Sequence, residues 1–130
     1  MSTKILIIDD EPDVLTFVQA ALEDHGYQAL TAHNARKGLE TIKREKPALI
    51  CLDVLMPRES GISLFKKLRS DPDLKGIPIV ILSGLSLSRD LDHIDYLELD
   101  DGTVLEEPDG YVEKPVDLAR LLSVLKKVLG

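Results

Sequence analysis

The segment from Leu49 to Pro57 reads LICLDVLMP, and it decides how the rest of the sequence is interpreted. Together with Ala48 it begins with an unbroken apolar run that ends at Leu52, which is typical of a strand buried on both faces. Asp53 then interrupts the apolar residues. A carboxylate at the end of a buried strand is costly to desolvate unless it is paired, bound to a metal or exposed in a cleft. All three explanations of Asp53 are open at this point.

Strand and helix patterns alternate on both sides of this segment. Strands are predicted at Lys4–Ile8, Tyr27–Ala32, Ala48–Leu52 and Ile77–Leu82, with a short one around Tyr111 and Val112. Apolar spacing and end signals predict helices from Pro12 to a stop at Gly26, from an Asn34 cap to before Pro47, over Ile62–Leu68 and over Leu118–Leu129. Such alternation implies right-handed crossovers. The predicted fold class is α/β, a doubly wound five-stranded parallel sheet with helices on both faces.

The stretch from Gly84 to Asp109 is longer than an ordinary crossover. Two loops and one helix would need only roughly 15–24 residues. Leu87, Leu91, Ile94 and Leu97 have helical spacing, and Asp101-Gly102 is a hairpin signal. We predict a helix followed by an extra loop or a short hairpin.

The composition predicts a single soluble domain of 130 residues, of which 44% are hydrophobic and 30% charged. A net charge of −7 argues against nucleic acid and anionic membranes as partners, and favours a basic protein surface or a divalent cation. Cys51 is the sole cysteine and lies in the apolar run, so it is expected to be buried, in a protein from a reducing compartment. Without a membrane span or a signal peptide, a cytoplasmic location is expected.

Polar side chains follow four of the five predicted strands. Asp9 and Asp10 follow the first, Asp53 the third, Ser83 the fourth and Lys114 the fifth. The second strand ends without a comparable acid, which suits an edge position in the strand order 2-1-3-4-5. In open α/β sheets, ligands bind beyond the carboxyl ends of the strands, where the strand order reverses. These side chains are therefore expected to converge.

The chemistry of this group favours phosphoryl transfer. Clustered carboxylates repel one another and require a positive partner, and oxygen ligands suit Mg²⁺. Lys114 supplies a second positive charge, and Ser83 supplies a hydroxyl donor. Together they could support transfer of a phosphoryl group to a carboxylate, with the metal and the lysine neutralising its charge.

At these strand ends the sequence resembles response-regulator receiver domains, in a single-domain form, and the likeness runs from Lys4 to Leu129. The matching stretches are IIDDEP (Ile7–Pro12), LDVLMPRESG (Leu52–Gly61), ILSG (Ile81–Gly84) and YVEKP (Tyr111–Pro115). Each motif is weak alone, but their order and placement are specific. The resemblance implies a flavodoxin-like receiver fold and a phosphoacceptor in two-component or phosphorelay signalling.

The resemblance also implies roles for individual residues. Asp53 resembles the residue phosphorylated by a histidine kinase or phosphotransfer protein. The implied Mg²⁺ (or Mn²⁺) ligands are Asp9, Asp10, Asp53 and the backbone carbonyl of Leu55. Lys114 and Ser83 resemble the residues that contact the phosphoryl group, and Tyr111 resembles the aromatic switch. A cis Lys114-Pro115 bond is implied as well.

Each of these residues has an ordinary explanation when taken alone. Asp10 could cap the following helix, Lys114 could be a solvated surface residue, and Tyr111 could be a packing residue.

A phosphatase with an aspartate nucleophile would need a second acid where Leu55 stands, and a nucleotide-binding domain would need a glycine-rich first loop. A receiver-like interaction module that works without phosphorylation is a stronger alternative than either the phosphatase or the nucleotide-binding domain.

Two departures from the family pattern have consequences for function. The Glu106–Gly110 approach to the fifth strand and the long stretch 84–109 predict unusual partner recognition. Leu55 and Leu85 cannot orient a water molecule by hydrogen bonding, so slow autodephosphorylation is predicted. If the sequence is the whole protein, its output is expected to be contact with a downstream protein or phosphate relay, with no catalytic domain, no direct nucleic-acid binding and no membrane insertion.

Overall fold

A computed structural model describes residues 3–54, 61–83, 99 and 101–130 of the chain. Within these residues the helices and strands are β1 (Lys4–Ile8), α1 (Pro12–Asp24), β2 (Gln28–Ala32), α2 (Ala35–Glu45), β3 (Leu49–Asp53), α3 (Gly61–Ser70), β4 (Ile79–Ser83), β5 (Gly110–Glu113) and α4 (Leu118–Leu129). The five strands form one parallel sheet in the order β2-β1-β3-β4-β5. The predicted doubly wound sheet and its strand order are confirmed.

The central strand β3 lies in the apolar core because its side chains are buried on both faces of the sheet. Every residue of β3 is buried, as predicted from its apolar run. Alternate residues enter opposite layers: Ile50 and Leu52 pack in the cluster that includes α2 and α3, and Leu49 and Cys51 in the cluster that includes α1 and α4. Burial of each leucine or isoleucine side chain contributes about 1.5–3 kcal/mol to the stability of the folded state. Cys51 is fully buried in the core as expected, and this burial raises the pKa of its thiol to about 12.

The end signals of the first two helices act as predicted. Pro12 occupies the first turn of α1, and Gly26 adopts a positive φ of 85° just beyond its end, where a side chain would be strained. The Asn34 side chain accepts a hydrogen bond from the Lys37 amide over 2.8 Å and caps α2. None of the described helices is long and apolar enough to cross a membrane.

The strand β4 begins two residues later than its apolar run predicts. The Ile77 amide donates to the carbonyl oxygen of Leu74, and the Ile77 carbonyl oxygen accepts a hydrogen bond from the Arg69 side chain. Ile77 is therefore committed to the loop after α3. Sequence periodicity cannot anticipate this competition between loop and sheet.

A reverse turn lies at the predicted hairpin signal. The Leu99 amide donates to the carbonyl oxygen of Thr103 over 2.8 Å, and the Gly102 amide donates to the carbonyl oxygen of Leu99 over 2.9 Å. Gly102 has a φ of 88°, which only glycine adopts without strain. The predicted helix through Leu87 and Leu97 lies outside the described residues.

Candidate functional site

The site lies at the carboxyl edge of the sheet, where β1 and β3 are neighbours. Asp9 directly follows β1, and its amide continues the pairing with β2 by donating to the Ala32 carbonyl oxygen over 3.1 Å. Asp53 is the last residue of β3. Because the strand order reverses between β1 and β3, this edge is where an open α/β sheet forms a ligand crevice.

Three carboxylates come together in this crevice. One carboxylate oxygen from each of Asp9, Asp10 and Asp53 lies within 4.8 Å of the others. Asp9 is fully buried and Asp53 is 4% exposed, whereas Asp10 is exposed to solvent. The predicted convergence of the three acids is confirmed, and the cluster is open to solvent on the side of Asp10.

Lys114 supplies the cation that these carboxylates require. Its Nζ atom donates a hydrogen bond to Oδ2 of Asp53 over 3.2 Å. The same atom lies 2.7 Å from Oδ2 of Asp9, in an ion pair that lacks the alignment of a hydrogen bond, and 3.6 Å from Oε1 of Glu11. The Lys114 side chain is 12% exposed, so its charge is only weakly screened by water. It is not a solvated surface lysine.

Burial and charge shift the pKa values of this pair. Burial raises the pKa of Asp9 more than its ion pair with Lys114 and the Glu11 amide lower it. Burial by itself would lower the pKa of Lys114, but the neighbouring Asp9 and Asp53 carboxylates outweigh it and raise that pKa. Lys114 is therefore held as a cation among the acids.

The donor set fits a hard divalent cation. Within the described residues, the fully buried Oδ2 atom of Asp9 accepts no hydrogen bond, and its nearest cation is Lys114. Paired among the described residues only with that ammonium, this buried oxygen retains lone-pair capacity for a further ligand. Carboxylate oxygens are the ligands that Mg²⁺ and Mn²⁺ prefer, and Asp10 offers a further one on the solvent side.

The remaining predicted site residues are described only in part. Tyr111 of β5 is partly buried against the cluster that includes α2 and α3. Ser83 ends β4 opposite Glu113, but its side chain lies outside the described residues, as does Leu55. The Lys114-Pro115 peptide bond is cis, as the resemblance implied.

Two residues near the acids had no role assigned from the sequence. Glu11 donates its amide to Oδ1 of Asp9 over 2.9 Å and is the N-cap residue of α1, so the alternative in which Asp10 caps that helix is wrong. At Gly61 a Cβ atom would collide with the carbonyl group of Asp53 and with the Cα atom of Val54. Glu11 lies in the motif IIDDEP and Gly61 in the motif LDVLMPRESG, and their place in these motifs is the sequence signal that could have predicted a position near the site.

Comparison with known proteins identifies the family. The family model described as the response regulator receiver domain matches residues 5–126. The chain belongs to the response regulator receiver domain family. The predicted resemblance is confirmed, and the phosphoacceptor function in two-component signalling follows from it. Receiver domains are signalling phosphoacceptors that interact with histidine kinases or phosphotransfer proteins and with downstream partners.

Similar receiver proteins differ in length. Protein PilH from Pseudomonas aeruginosa is 31% identical, and the match covers 98% of both chains. The alkaline phosphatase synthesis transcriptional regulatory protein PhoP from Bacillus subtilis is 33% identical over 99% of this chain but only 49% of its own length. This receiver chain therefore spans about half the length of PhoP and of several other curated relatives.

Solved structures agree with the fold of this receiver domain. The chemotaxis response regulator CheY4 of Vibrio cholerae has a TM-score of 0.82 and 26% identity, and the match covers 99% of this chain and 100% of that one. A response regulator structure from Chloroflexus aurantiacus has the same TM-score at 25% identity, over 99% and 98% of the two chains.

Proposed function

We propose that Asp53 is the phosphoacceptor of this receiver domain. The observation that carries the proposal is the Asp53 carboxylate at the end of a fully buried strand, in contact with the Lys114 ammonium over 3.2 Å and close to Asp9 and Asp10. A fully buried strand holds a nucleophile in place better than a mobile segment would. Within the described residues, nothing favours the alternative of an interaction module that works without phosphorylation.

The proposed reaction moves a phosphoryl group from a phosphohistidine of a histidine kinase or phosphotransfer protein to Asp53. A carboxylate oxygen of Asp53 attacks phosphorus and forms the new O–P bond. The P–N bond breaks, its electron pair stays on the histidine nitrogen, and that nitrogen takes a proton from solvent. Lys114 faces the phosphoryl oxygens and neutralises part of their charge.

A divalent cation, Mg²⁺ or Mn²⁺, completes the proposed site. Asp9, Asp10, Asp53 and the backbone carbonyl of Leu55 would hold it, and the described carboxylates fit that role. When bound, such a cation neutralises charge on the transferring phosphoryl group. The net negative charge of the acid cluster explains why a second cation beside Lys114 is favourable there.

Ser83 and Tyr111 are the proposed responders to phosphorylation. The phosphoryl group adds about −1.5 to −2 charges to an edge that is already acidic. The Ser83 hydroxyl would then bond the phosphoryl group, and the Tyr111 ring would turn inward and change the surface offered to a downstream protein. Tyr111 is half-buried on the edge strand β5, where such a movement crosses little of the core.

Slow autodephosphorylation is part of the same proposal. Leu55 is two residues after Asp53 and Leu85 two residues after Ser83, and neither side chain can hold a water molecule by a hydrogen bond. The acyl phosphate should therefore persist unless a partner removes it. A half-life of seconds for the phosphorylated protein would contradict this.

We also propose that residues 1–130 form one receiver domain, with 84–109 as an atypical segment that serves partner recognition. The exposed Val104 and the turn at Leu99–Thr103 support the idea, because an exposed apolar side chain beside a rigid turn is suited to contact. The proposed downstream partner is a protein, since the net charge of −7 disfavours nucleic acid and anionic membranes. A cytoplasmic location is proposed because that is where such kinases present phosphohistidine.

Labelling with a small phosphodonor tests the central proposal. The wild-type protein and Asp53→Asn are incubated with acetyl phosphate and Mg²⁺, and intact-protein mass spectrometry measures the phosphorylated fraction. Asp24→Asn, an exposed change of the same kind at the end of α1, is the matched control. Labelling should vanish only in Asp53→Asn and whenever the metal is chelated. Labelling that survives Asp53→Asn would overturn the assignment of the acceptor.

A further inference from the structure

Arg69 is a buried cation at the opposite end of the sheet from the acid cluster. It lies at the end of α3, its side chain is only 4% exposed, and its guanidinium lies over the Phe65 ring, 5.5 Å from the centroid. A buried guanidinium is costly unless its donors are paired. Its contacts therefore identify what it holds in place.

The contacts of Arg69 join two loops that are distant in sequence. Its Nη1 atom donates to the carbonyl oxygens of Lys75 and Ile77, over 3.1 and 3.3 Å. Its Nη2 atom donates to the carbonyl oxygen of Glu107 over 3.1 Å and to Oδ2 of Asp109 over 2.8 Å. The first two acceptors precede β4 and the other two precede β5, so one side chain bridges the entrances of both strands.

Asp109 extends this bridge into the sheet. Its Oδ2 atom also accepts a hydrogen bond from the Ile79 amide over 2.9 Å, and its own amide donates to the Ile79 carbonyl oxygen over 2.8 Å. Ile79 is the first residue of β4, and Asp109 directly precedes β5. The Arg69–Asp109 pair thus fastens the start of β5 to the start of β4.

The edge strand β5 needs such an anchor. It has four residues, and only Val112 among them is buried, so burial alone specifies its position weakly. At Gly110 a Cβ atom would lie 2.6 Å from Cγ1 of Val124, so a larger residue there would require Val124 to shift. That steric limit does not attract β5 to β4, whereas the hydrogen bonds made by Asp109 do.

We infer that Arg69 and Asp109 are positioning residues for phosphoryl transfer: they hold β5 in place along β4 and so keep Lys114 at Asp53. The inference rests on the proposed role of Lys114. A strand rises about 3.3 Å per residue. A shift of β5 by one residue would therefore move its end by as much as the 3.2 Å distance between Lys114 and Asp53, and would break that contact. The pair acts through the strand and touches no reacting atom.

Variants at both ends of the bridge test this inference. Arg69→Met and Asp109→Ala remove the bridge, Asp109→Asn restores an acceptor for the Ile79 amide, and Lys114→Met removes the positioned group. Ile42→Ala is the control: Ile42 is a buried core residue of α2, outside β4 and β5, so this variant lowers stability without changing the bridge. Circular dichroism selects a temperature at which each variant is folded. Two readouts follow: the rate of labelling by acetyl phosphate, and the Mg²⁺ affinity by calorimetry.

A displacement of about 1 Å at a reacting centre can cost about a hundredfold in rate, so Arg69→Met and Asp109→Ala should label roughly ten- to a hundredfold more slowly. They should also bind Mg²⁺ more tightly, as Lys114→Met should, because the competing ammonium has moved away. Asp109→Asn should recover part of the rate, and Ile42→Ala should change neither readout.

The outcomes separate this inference from the proposed function. Equal slowing in Ile42→Ala and Arg69→Met would reduce the pair to a stability role and overturn the inference. If Arg69→Met does not fold, an unchanged rate in Asp109→Ala overturns it equally. If Lys114→Met labels slowly while the bridge variants label normally, only the positioning role fails. If Lys114→Met labels normally, the proposed role of Lys114 fails and takes the inference with it.

Discussion

Lys114 donates a hydrogen bond to Asp53 over 3.2 Å, although Asp53 ends β3 and Lys114 follows β5, two strands that are not neighbours in the sheet. The strand β4 lies between β3 and β5, so the lysine reaches across the end of β4 to the acceptor strand. This reach brings a cation from an edge strand to the centre of the sheet, so the position of Lys114 at Asp53 depends on how β5 is docked.

Removing the lysine charge should separate metal binding from phosphorylation. In Lys114→Met we expect labelling by acetyl phosphate to fall by about a hundredfold, as for loss of one charge-stabilising donor. Mg²⁺ affinity should rise, because one cation has left the acid cluster. Lys127→Met, an exposed lysine of α4, is the control. Calorimetry and a labelling time course measure the two effects, and weaker Mg²⁺ binding in Lys114→Met would contradict the arrangement described.

Gly61 should tolerate no side chain. A Cβ atom there collides with the backbone of Asp53 and Val54, which cannot yield without moving the acceptor strand. We expect Gly61→Ala to lower the free energy of unfolding by at least about 2 kcal/mol, as overpacking of a rigid site does. At Gly76 a Cβ atom meets nothing within 4 Å, so Gly76→Ala should leave stability nearly unchanged. Urea unfolding compares them, and equal stabilities would show that the contact is absent in solution.

The Lys4–Glu45 ion pair should give stability a small acidic pH dependence. The hydrogen bond from Lys4 over 3.1 Å lowers the pKa of Glu45 below its ordinary value of 4.5. A carboxyl with a depressed pKa stabilises the fold above its unfolded pKa, and this is lost as the pH falls through the folded pKa. The gap in unfolding free energy between wild type and Glu45→Gln should therefore be present at neutral pH and close as the pH falls through the lowered pKa of Glu45.

Urea titrations at several pH values measure this gap. Glu40→Gln, an exposed change on the same helix, removes an equal charge without the Lys4 contact and is the control. Added salt should narrow the gap, because the pair is partly exposed and is screened. A gap that persists in strong acid would mean that Glu45 acts through packing.

Val104 should matter for partner binding and not for phosphorylation. It is 73% exposed beside the turn closed by Leu99 and Thr103, and it lies apart from the Glu107 and Asp109 contacts with Arg69. Val104→Ser should weaken binding of the downstream partner several-fold while labelling of Asp53 stays unchanged. Thr16→Ser on α1 is an exposed control. Equal loss of labelling and binding would remove the separate role proposed for this segment.

Much of the fold could be predicted from local patterns. The apolar run before Asp53, the Asn34 cap and the glycine after α1 act through neighbours in the chain, so their effects are readable along the sequence. The strand order was also predictable, because only the second strand lacks a polar residue suited to the shared edge. The acid cluster followed from that order.

Other features depend on residues that are far apart in the chain. The late start of β4, the collision at Gly61, the reach of Lys114 across β4 and the bridge from Arg69 to Asp109 each join separate segments. A sequence pattern records which residues are apolar or charged, but it does not record which carbonyl a guanidinium will find.

The sheet, its strand order and the residues that meet at its carboxyl edge could thus be predicted from local patterns. The folded chain was needed to show that Lys114 is shared between Asp9 and Asp53, and that Arg69 and Asp109 fasten the strand that precedes it. The difference lies in separation along the chain. A periodic pattern reflects contacts between residues a few positions apart, whereas a buried charge is satisfied by partners that come close only when the chain has folded.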